Sequence, residues 1–326
     1  DLLYRRMAGG RSRLWRRAKG ASQPVAEDQF GDAVLDVAVS RNGARAAVPR
    51  STGNLDLWLY ELRGESKPEG PEVVAGSTFN DAEAEISPDG RRLAFISVRS
   101  GRRQVWMCGL DGSNLRQLTF GDEVRRGPNW ESDSRTIRYG TRNGDVRRFY
   151  RMDVTDGTPR FERDDFYIEH GTPDGKWQFG RRAIGDQDKL FRIAADGRVP
   201  PTPVTRRVNF YSLFAGDWIY FVDRNSGDAK LWRLPVRGGV EEEVTPSVTN
   251  GAFAVTADHL YFARRIANRR WGVYMQMLGT AQPRLLFEIT NRPNRKLTVS
   301  KDGRRMVLDV AVQEGADIMV ADLSWR

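Results

Sequence analysis

The chain has 326 residues, 39% hydrophobic and 10% aromatic, enough to bury the core of one large domain or two ordinary ones. Its 32 glycines and 15 prolines indicate many short strands joined by turns. The single cysteine, Cys108, excludes an internal disulfide and a thiolate metal site. No apolar run has the length of a membrane span or a signal peptide.

The formal net charge of +9 comes almost entirely from arginine, because only seven of the 52 basic residues are lysine. The arginines often occur in pairs, and the pairs are spread along the whole chain: Arg16-Arg17, Arg91-Arg92, Arg147-Arg148, Arg206-Arg207 and Arg269-Arg270. A nucleic-acid-binding tail or helix would concentrate this charge. Nucleic acid is therefore not the expected partner, although an acidic partner stays open.

The first predicted element is a hairpin over residues 2–19, which begins in an apparent strand at Leu2-Leu3-Tyr4. A start inside a strand indicates a piece cut from a longer protein. The lack of a targeting signal therefore does not decide the compartment.

The clearest structural unit runs from Ala84 to Phe120. An apolar strand is followed by the turn Ser87-Pro88-Asp89-Gly90 and a second apolar strand, residues 92–96. A third strand, residues 104–107, and a short fourth one, residues 117–119, follow after further turns. This pattern predicts four antiparallel strands joined by tight turns.

The same unit recurs along the chain. Copies of its first turn occur at Ser40-Arg41-Asn42-Gly43, Ser132-Asp133-Ser134, Thr172-Pro173-Asp174-Gly175, Ala215-Gly216-Asp217, Thr256-Ala257-Asp258-His259 and Ser300-Lys301-Asp302-Gly303. A large residue marks each third strand, as at Trp58, Trp106 and Trp232, with a spacing of about 41 to 48 residues. A lone four-stranded sheet cannot bury both faces, so the copies must stack around an axis. The prediction is an all-β protein, a β-propeller of four-stranded antiparallel blades.

The turn copies favour seven blades in one domain that spans residues 1–326. The last unit ends at Leu323 without an outer strand, and residues 23–27 are expected to supply it. The hairpin in residues 1–20 is then a remnant of a preceding blade. Eight blades result if that hairpin is counted.

The segments Ile86-Ser87-Pro88-Asp89-Gly90-Arg91-Arg92-Leu93-Ala94-Phe95 and Leu110-Asp111-Gly112-Ser113-Asn114-Leu115-Arg116-Gln117-Leu118-Thr119 resemble TolB-type, WD-repeat-like propeller repeats. The order of sequence motifs along the chain resembles that in the C-terminal propeller of bacterial winged-helix transcriptional regulators. These motifs include Leu231-Trp232-Arg233-Leu234-Pro235-Val236 with Gly238-Gly239, and the closing Asp317-Ile318-Met319-Val320. That resemblance implies a sensor domain outside the cytoplasm, in the periplasm, with a cytoplasmic location as the alternative. The turn at residues 131–134 departs from the pattern. Similar propellers accompany kinases and serine peptidases, so the fold alone does not give the function.

Catalytic signatures are missing from the sequence. There is no Gly-x-Ser-x-Gly nucleophile elbow, phosphate loop, dinucleotide fingerprint or EF-hand loop. Of the two histidines, His259 takes the place of a turn glycine and His170 lies at the start of a first strand. The recurring aspartates, such as Asp89, fit turn capping better than acid–base pairs. We therefore expect no catalysis, no metal and no cofactor.

Binding is expected at the mouth of the channel, where the loops that lead into the first strands converge. The candidate ligand-binding residues there are Asp81, Glu83, Arg126, Asn129, Glu169, His170, Asn209, Asn250 and Arg295. The alternative is that these loops are polar only because water solvates them. The leading hypothesis is a non-catalytic propeller that binds a small ligand or a protein as the sensor or interaction module of a larger bacterial regulatory protein. The other hypotheses are a propeller accessory to a hydrolase or peptidase and a pure protein-docking scaffold.

Overall fold

The computed structural model describes the chain except residues 1, 9–10, 19–20, 25–36, 43, 52–53, 64–67, 78, 173, 185–186, 208–210, 224–227, 281, 314–315 and 323–326. Every regular element in the described residues is a β-strand, as the sequence predicts. None of these residues forms a helix that could span a membrane.

The strands fall into two groups. The terminal regions form β1 (Leu2–Ala8), β2 (Arg11–Ala18), β3 (Ala21–Pro24), β4 (Ala38–Val39), β5 (Arg45–Ser51) and β30 (Ala316–Asp322). The remaining strands are β6 (Asn54–Glu61), β7 (Glu69–Val74), β8 (Asp81–Ile86), β9 (Arg92–Ser97), β10 (Gln104–Gly109), β11 (Arg116–Gln117), β12 (Glu123–Trp130), β13 (Thr136–Asn143), β14 (Val146–Asp153), β15 (Pro159–Arg163), β16 (Tyr167–Gly171), β17 (Trp177–Ile184), β18 (Gln187–Ala194), β19 (Thr202–Pro203), β20 (Tyr211–Ala215), β21 (Trp218–Val222), β22 (Asp228–Pro235), β23 (Glu242–Thr249), β24 (Phe253–Val255), β25 (His259–Ala267), β26 (Arg270–Met277), β27 (Arg284–Ile289), β28 (Arg292–Val299) and β29 (Arg305–Gln313).

The second group forms six four-stranded antiparallel sheets. Five are built from consecutive strands, β8–β11, β12–β15, β16–β19, β20–β23 and β24–β27, and the sixth has the order β28-β29-β6-β7. First strands of neighbouring sheets contact each other, including β8 with β12, β24 with β28, and β28 with β8. The chain is therefore a β-propeller whose ring closes where β29, near one end of the chain, pairs with β6, near the other.

The predicted count of seven blades, or eight, is not confirmed. The described residues form the six four-stranded sheets and two three-stranded ones, β1-β2-β3 and β30-β5-β4. The first predicted unit is divided, because β6 and β7 complete the sheet of β28 and β29 while β4 and β5 pair with β30. Residues 21–24 pair with β2 rather than with the last sheet, and residues 25–27 lie outside the described part. Strands β1 and β2 do pair antiparallel, as the predicted hairpin requires.

The predicted turns join consecutive antiparallel strands, and local hydrogen bonds explain why. In the clearest copy Ser87 Oγ and Asp89 Oδ1 are 2.5 Å apart, and the Arg92 amide donates to Ser87 Oγ over 3.0 Å. The same contacts recur at Ser300 and Asp302, with a 2.5 Å separation of the side-chain oxygens. These bonds cap the turn amides, and they lower the pKa of the Asp302 carboxyl. The aspartates are turn residues, as expected.

The hydrophobic core lies between neighbouring sheets. One cluster joins Ile96 and Val105 of the β8–β11 sheet to Val124 and Ile137 of the next sheet. Burying apolar area in this way is the main stabilising contribution, roughly 25 cal/mol per Å² removed from water. Cys108 is also buried.

Candidate functional site

A cavity of about 350 Å³ opens where the first strands of the six four-stranded sheets converge. Each of these sheets, or the loop that leads into it, contributes to the lining: Glu83, Arg125, Arg126, Gly127, Asn129, Tyr167, Glu169, Arg181, Tyr211, Val222, Asn250, Gly251, Arg295 and Lys296. We call this the central cavity. Five cations and two carboxylates lie in this lining, together with two tyrosines and two asparagines, so it is concave, polar and charged with both signs.

A lysine is held on the cavity wall by a carboxylate from the adjacent sheet. Lys296 is 8% exposed, and its Nζ lies 2.7 Å from Glu85 Oε2. The main-chain oxygen of Glu85 accepts a 3.0 Å bond from Trp130 Nε1 of the next sheet along. Three sheets are therefore connected around one buried charge, which fixes the ammonium position.

A second buried pair lies across the cavity. Arg181 Nη2 and Glu169 Oε1 are 2.9 Å apart, and the two side chains are only 1% and 8% exposed. Ser212 Oγ, in the following sheet, donates to Glu169 and accepts a 3.2 Å bond from Arg181. Removing one partner of such a pair would leave a buried charge without its counterion.

Two residues of the lining have left-handed backbone conformations, which are uncommon outside glycine. Glu83 has φ of 56° at a bulge in β8, and Asn250 has φ of 51° just before β24. Tertiary contacts hold both in place. Glu83 pairs with Arg103 at 2.7 Å, and Asn250 Nδ2 donates to the Pro293 oxygen over 2.7 Å. Such strain persists only where the surroundings over-determine it, and it is concentrated at functional sites.

Below the lining, Asp309 ties the closing sheet to the first strand of the next one. It is 1% exposed and accepts hydrogen bonds from the amide of Glu83 at 3.1 Å, the amide of Lys296 at 2.8 Å and the side chain of Asn294 at 3.1 Å. Burial nevertheless raises the pKa of the Asp309 carboxyl from 3.8 to about 6, because desolvation outweighs these donors.

The two tyrosines of the lining are phenol donors rather than bases. Tyr167 Oη donates to the Arg138 oxygen over 3.3 Å. Tyr211 packs edge-on against Phe253, with ring centroids 5.3 Å apart. Burial raises the pKa of both tyrosines well above the usual value of 10.

A second cavity, of about 290 Å³, lies between the β12–β15 and β16–β19 sheets. Its nine lining residues are Arg125, Arg126, Thr141, Arg142, Arg147, Phe149, Asp165, Arg181 and Arg182. Six of the nine are arginines and one is a carboxylate, so positive charge predominates. We call this the arginine cleft. It shares three lining residues with the central cavity, so the two cavities are neighbours on one face of the ring.

The structure brings six of the nine predicted site residues together in the central cavity, namely Glu83, Arg126, Asn129, Glu169, Asn250 and Arg295. That they bind a ligand stays a prediction. The other three are located elsewhere or are not described. Asp81 is buried and pairs with Arg99 at 2.8 Å, outside the lining. His170 stacks on Phe214 at 4.3 Å, and burial lowers its pKa below 6.5. Asn209 lies outside the described residues.

Two important lining residues were not predicted. Lys296 lies in β28 next to a bulge, and Arg181 lies in the middle of β17, the second strand of its sheet. Each has an arginine directly beside it in its strand, Arg295 in β28 and Arg182 in β17, so the local sequence did not single either one out. In the part of the chain that the structure describes, no three His, Cys, Asp or Glu side chains are grouped so that they could hold a metal ion.

Comparison with known proteins shows the following. The family model described as TolB beta propeller domain matches residues 26–212. The putative TolB of Agrobacterium tumefaciens superposes with a TM-score of 0.62 at 18% identity, covering 80% of this chain and 99% of that one. TolB of Acinetobacter baumannii gives 0.54 at 16% identity, covering 98% and 81%. An uncharacterized peptidase of Bacillus subtilis, YuxL, is 31% identical over 113 residues, 32% of this chain and 16% of its own length.

Proposed function

Because the chain belongs to the TolB β-propeller domain family, we propose that it is a non-catalytic binding propeller whose central cavity receives a segment of a partner protein. The observation that carries this proposal is the convergence of all six four-stranded sheets on one cavity with fixed charges of both signs. Tyrosine and arginine, which predominate at binding hot spots, line it together with asparagine amides. Amides and phenols suit an extended main chain, and fixed charges select its side chains.

Two features of the wall favour a preformed site. The buried pairs of Lys296 with Glu85 and of Arg181 with Glu169 hold their side chains before any partner arrives. Glu83 and Asn250 have left-handed backbone conformations at the same cavity. A site that is already ordered loses little entropy on binding, which raises its affinity.

The wider role follows from resemblance alone. We infer that the chain is the interaction module of a larger bacterial protein and that it acts outside the cytoplasm, as the TolB-like repeats imply. The narrower likeness to winged-helix regulators is a prediction that the sequence of the complete gene product would test.

The test is selection of a phage-displayed library of random peptides on the purified chain. Enriched peptides are expected to bind the wild-type protein in calorimetry and to lose about tenfold or more in affinity to Arg126→Ala/Arg295→Ala, which removes two cations of the lining. The matched control is Arg198→Ala/Arg237→Ala. Both arginines are exposed at turns between third and fourth strands, on the opposite face of the ring. Selection that enriches nothing, or peptides that only the control weakens, would contradict the proposal.

A second candidate is a propeller that accompanies a peptidase domain in the same polypeptide. The 31% identity with part of YuxL favours it, although the chain spans only 16% of that protein's length. The discriminating experiment is labelling of the complete gene product with a fluorophosphonate probe for activated serines. Labelling of a serine outside residues 1–326 would support this candidate, and the absence of labelling would favour the non-catalytic binding module.

A further inference from the structure

The arginine cleft holds positive charge that the structure only partly neutralises. Arg125 pairs with Glu123 at 2.9 Å, and Arg142 pairs with Asp145 at 3.5 Å. The ion pairs found in the described residues include none for Arg147 or Arg182. These two arginines come from neighbouring sheets, Arg147 from β14 and Arg182 from β17, and they line the same cleft.

Arg182 is nevertheless held near two aromatic rings. Its guanidinium lies 4.7 Å from the ring centroid of Phe166 and 5.0 Å from that of Phe191. Cation–π contact with both rings, which are inclined at 65° to each other, restricts where this guanidinium lies. Arg147 is half-buried, which restricts it as well. The cleft therefore presents two guanidinium groups whose positions are restricted before any ligand arrives.

Little else in the cleft could recognise a ligand. Phe149 is its only apolar lining residue, and Thr141 is 8% exposed. The one carboxylate, Asp165, is paired with Arg163 at 2.6 Å, so its charge is compensated. A peptide would find few partners for its main chain or its apolar side chains, whereas a compact ligand of high negative charge would find several. Planar guanidinium groups bind phosphoryl oxygens through paired, parallel hydrogen bonds.

We propose that the arginine cleft is a binding site for a ligand with two or more adjacent phosphoryl groups. A volume of about 290 Å³ equals that of roughly ten water molecules, more than one tetrahedral oxyanion fills. Several arginines on one concave wall reinforce each other's field, which favours ligands with several charges over a single phosphate. The site goes beyond the proposed binding of a protein segment. Arg147 and Arg182 do not line the central cavity, so either proposal can fail without the other.

The test is calorimetric titration of the purified chain with inorganic tripolyphosphate at physiological ionic strength. Tripolyphosphate is expected to bind at least about tenfold more tightly than orthophosphate, because it meets more guanidinium groups at once. Arg147→Gln/Arg182→Gln is expected to weaken it by about tenfold or more. The control, Arg198→Gln/Arg237→Gln, removes the same charge on the opposite face and is expected to change affinity by less than about twofold.

A lysine variant separates guanidinium recognition from simple charge attraction. Arg147→Lys/Arg182→Lys keeps the charge but loses the planar fork, so its affinity is expected to fall severalfold. If the glutamine variant fails to fold, Arg142→Gln takes its place, since Arg142 is exposed and lines only this cleft.

Several results would overturn the proposal. They are undetectable tripolyphosphate binding, an equal loss in the control variant, full affinity in the lysine variant, or tighter binding of citrate or poly-glutamate than of tripolyphosphate. Full affinity in the lysine variant would indicate general charge attraction, and tighter binding of citrate or poly-glutamate would indicate recognition of carboxylates.

Discussion

Acidification from about pH 7 to about pH 5 is expected to stabilise the folded chain through Asp309. Its carboxyl is buried where the ring closes, and burial raises its pKa from 3.8 to about 6. The folded chain therefore binds this proton more tightly than the unfolded chain does. The resulting stability is fully present below about pH 3.8, and it is lost as the pH rises through about 6.

The magnitude follows from the same shift. Between pH 7 and pH 5 the folded state takes up most of this proton and the unfolded state takes up very little, so the free energy of unfolding gains about 1 kcal/mol. His170 acts in the opposite direction, because burial lowers its pKa and the unfolded chain then takes up its proton first. The effect of Asp309 is therefore read as a difference between two proteins that both contain His170.

The variant is Asp309→Asn, which keeps the shape but cannot titrate. The substitution also replaces one acceptor oxygen by an N–H donor, which faces the amide donors of Glu83 and Lys296. The variant is therefore expected to be less stable than a replacement that kept both acceptor oxygens. Urea unfolding followed by the fluorescence of the nine tryptophans gives the stability of both proteins at each pH. The advantage of the wild type over the variant should grow by about 1 kcal/mol between pH 7 and pH 5.

The control is Asp111→Asn. Hydrogen bonds from Ser113 lower the pKa of the exposed Asp111 carboxyl, so it takes up no proton between pH 7 and pH 5. The stability difference of this variant from the wild type should stay constant. An equally constant difference for Asp309→Asn would refute the reasoning, because Asp309 would then ionise alike in both states.

Three further outcomes follow from the packing. Gly127→Ala should be more destabilising in urea unfolding than Gly144→Ala. Both glycines have positive φ, but an added Cβ at position 127 would lie 2.6 Å from a main-chain oxygen, whereas one at position 144 would meet no atom within 4 Å. Glu169→Gln should cost about 3 kcal/mol or more in the same assay, because Arg181 would be buried without its counterion, whereas a loss under 1 kcal/mol would contradict this. Cys108 should react with a thiol reagent only after unfolding, since burial raises its pKa to about 12, and rapid labelling of the native chain would disprove it.

The features that the sequence predicts well are local. The turn around Ser87 and Asp89 is stabilised by contacts between residues at most five positions apart, so a short motif is enough to recognise it. Strand periodicity and the spacing of third-strand aromatics then predict the propeller. The mouth of the channel follows from the order of the strands, which is why Glu83, Asn250 and Arg295 were found.

The features that were missed depend on pairing between distant parts of the chain. The closing sheet pairs Leu308 with Trp58, a contact that no local pattern specifies, and the predicted blade count was therefore not confirmed. Lys296 and Arg181 were overlooked because each lies within a strand. Only the folded chain shows that their partners are Glu85 and Glu169.

The most direct test of the central claim is amide hydrogen exchange of the chain with and without a peptide enriched from the library. Binding at the central cavity predicts slower exchange in β12, residues 123–130, and in β28, residues 292–299, which contribute Arg126 and Arg295 to its wall. Turns on the opposite face, such as residues 87–90, should exchange unchanged. Protection confined to that opposite face, with β12 and β28 unaffected, would contradict the account.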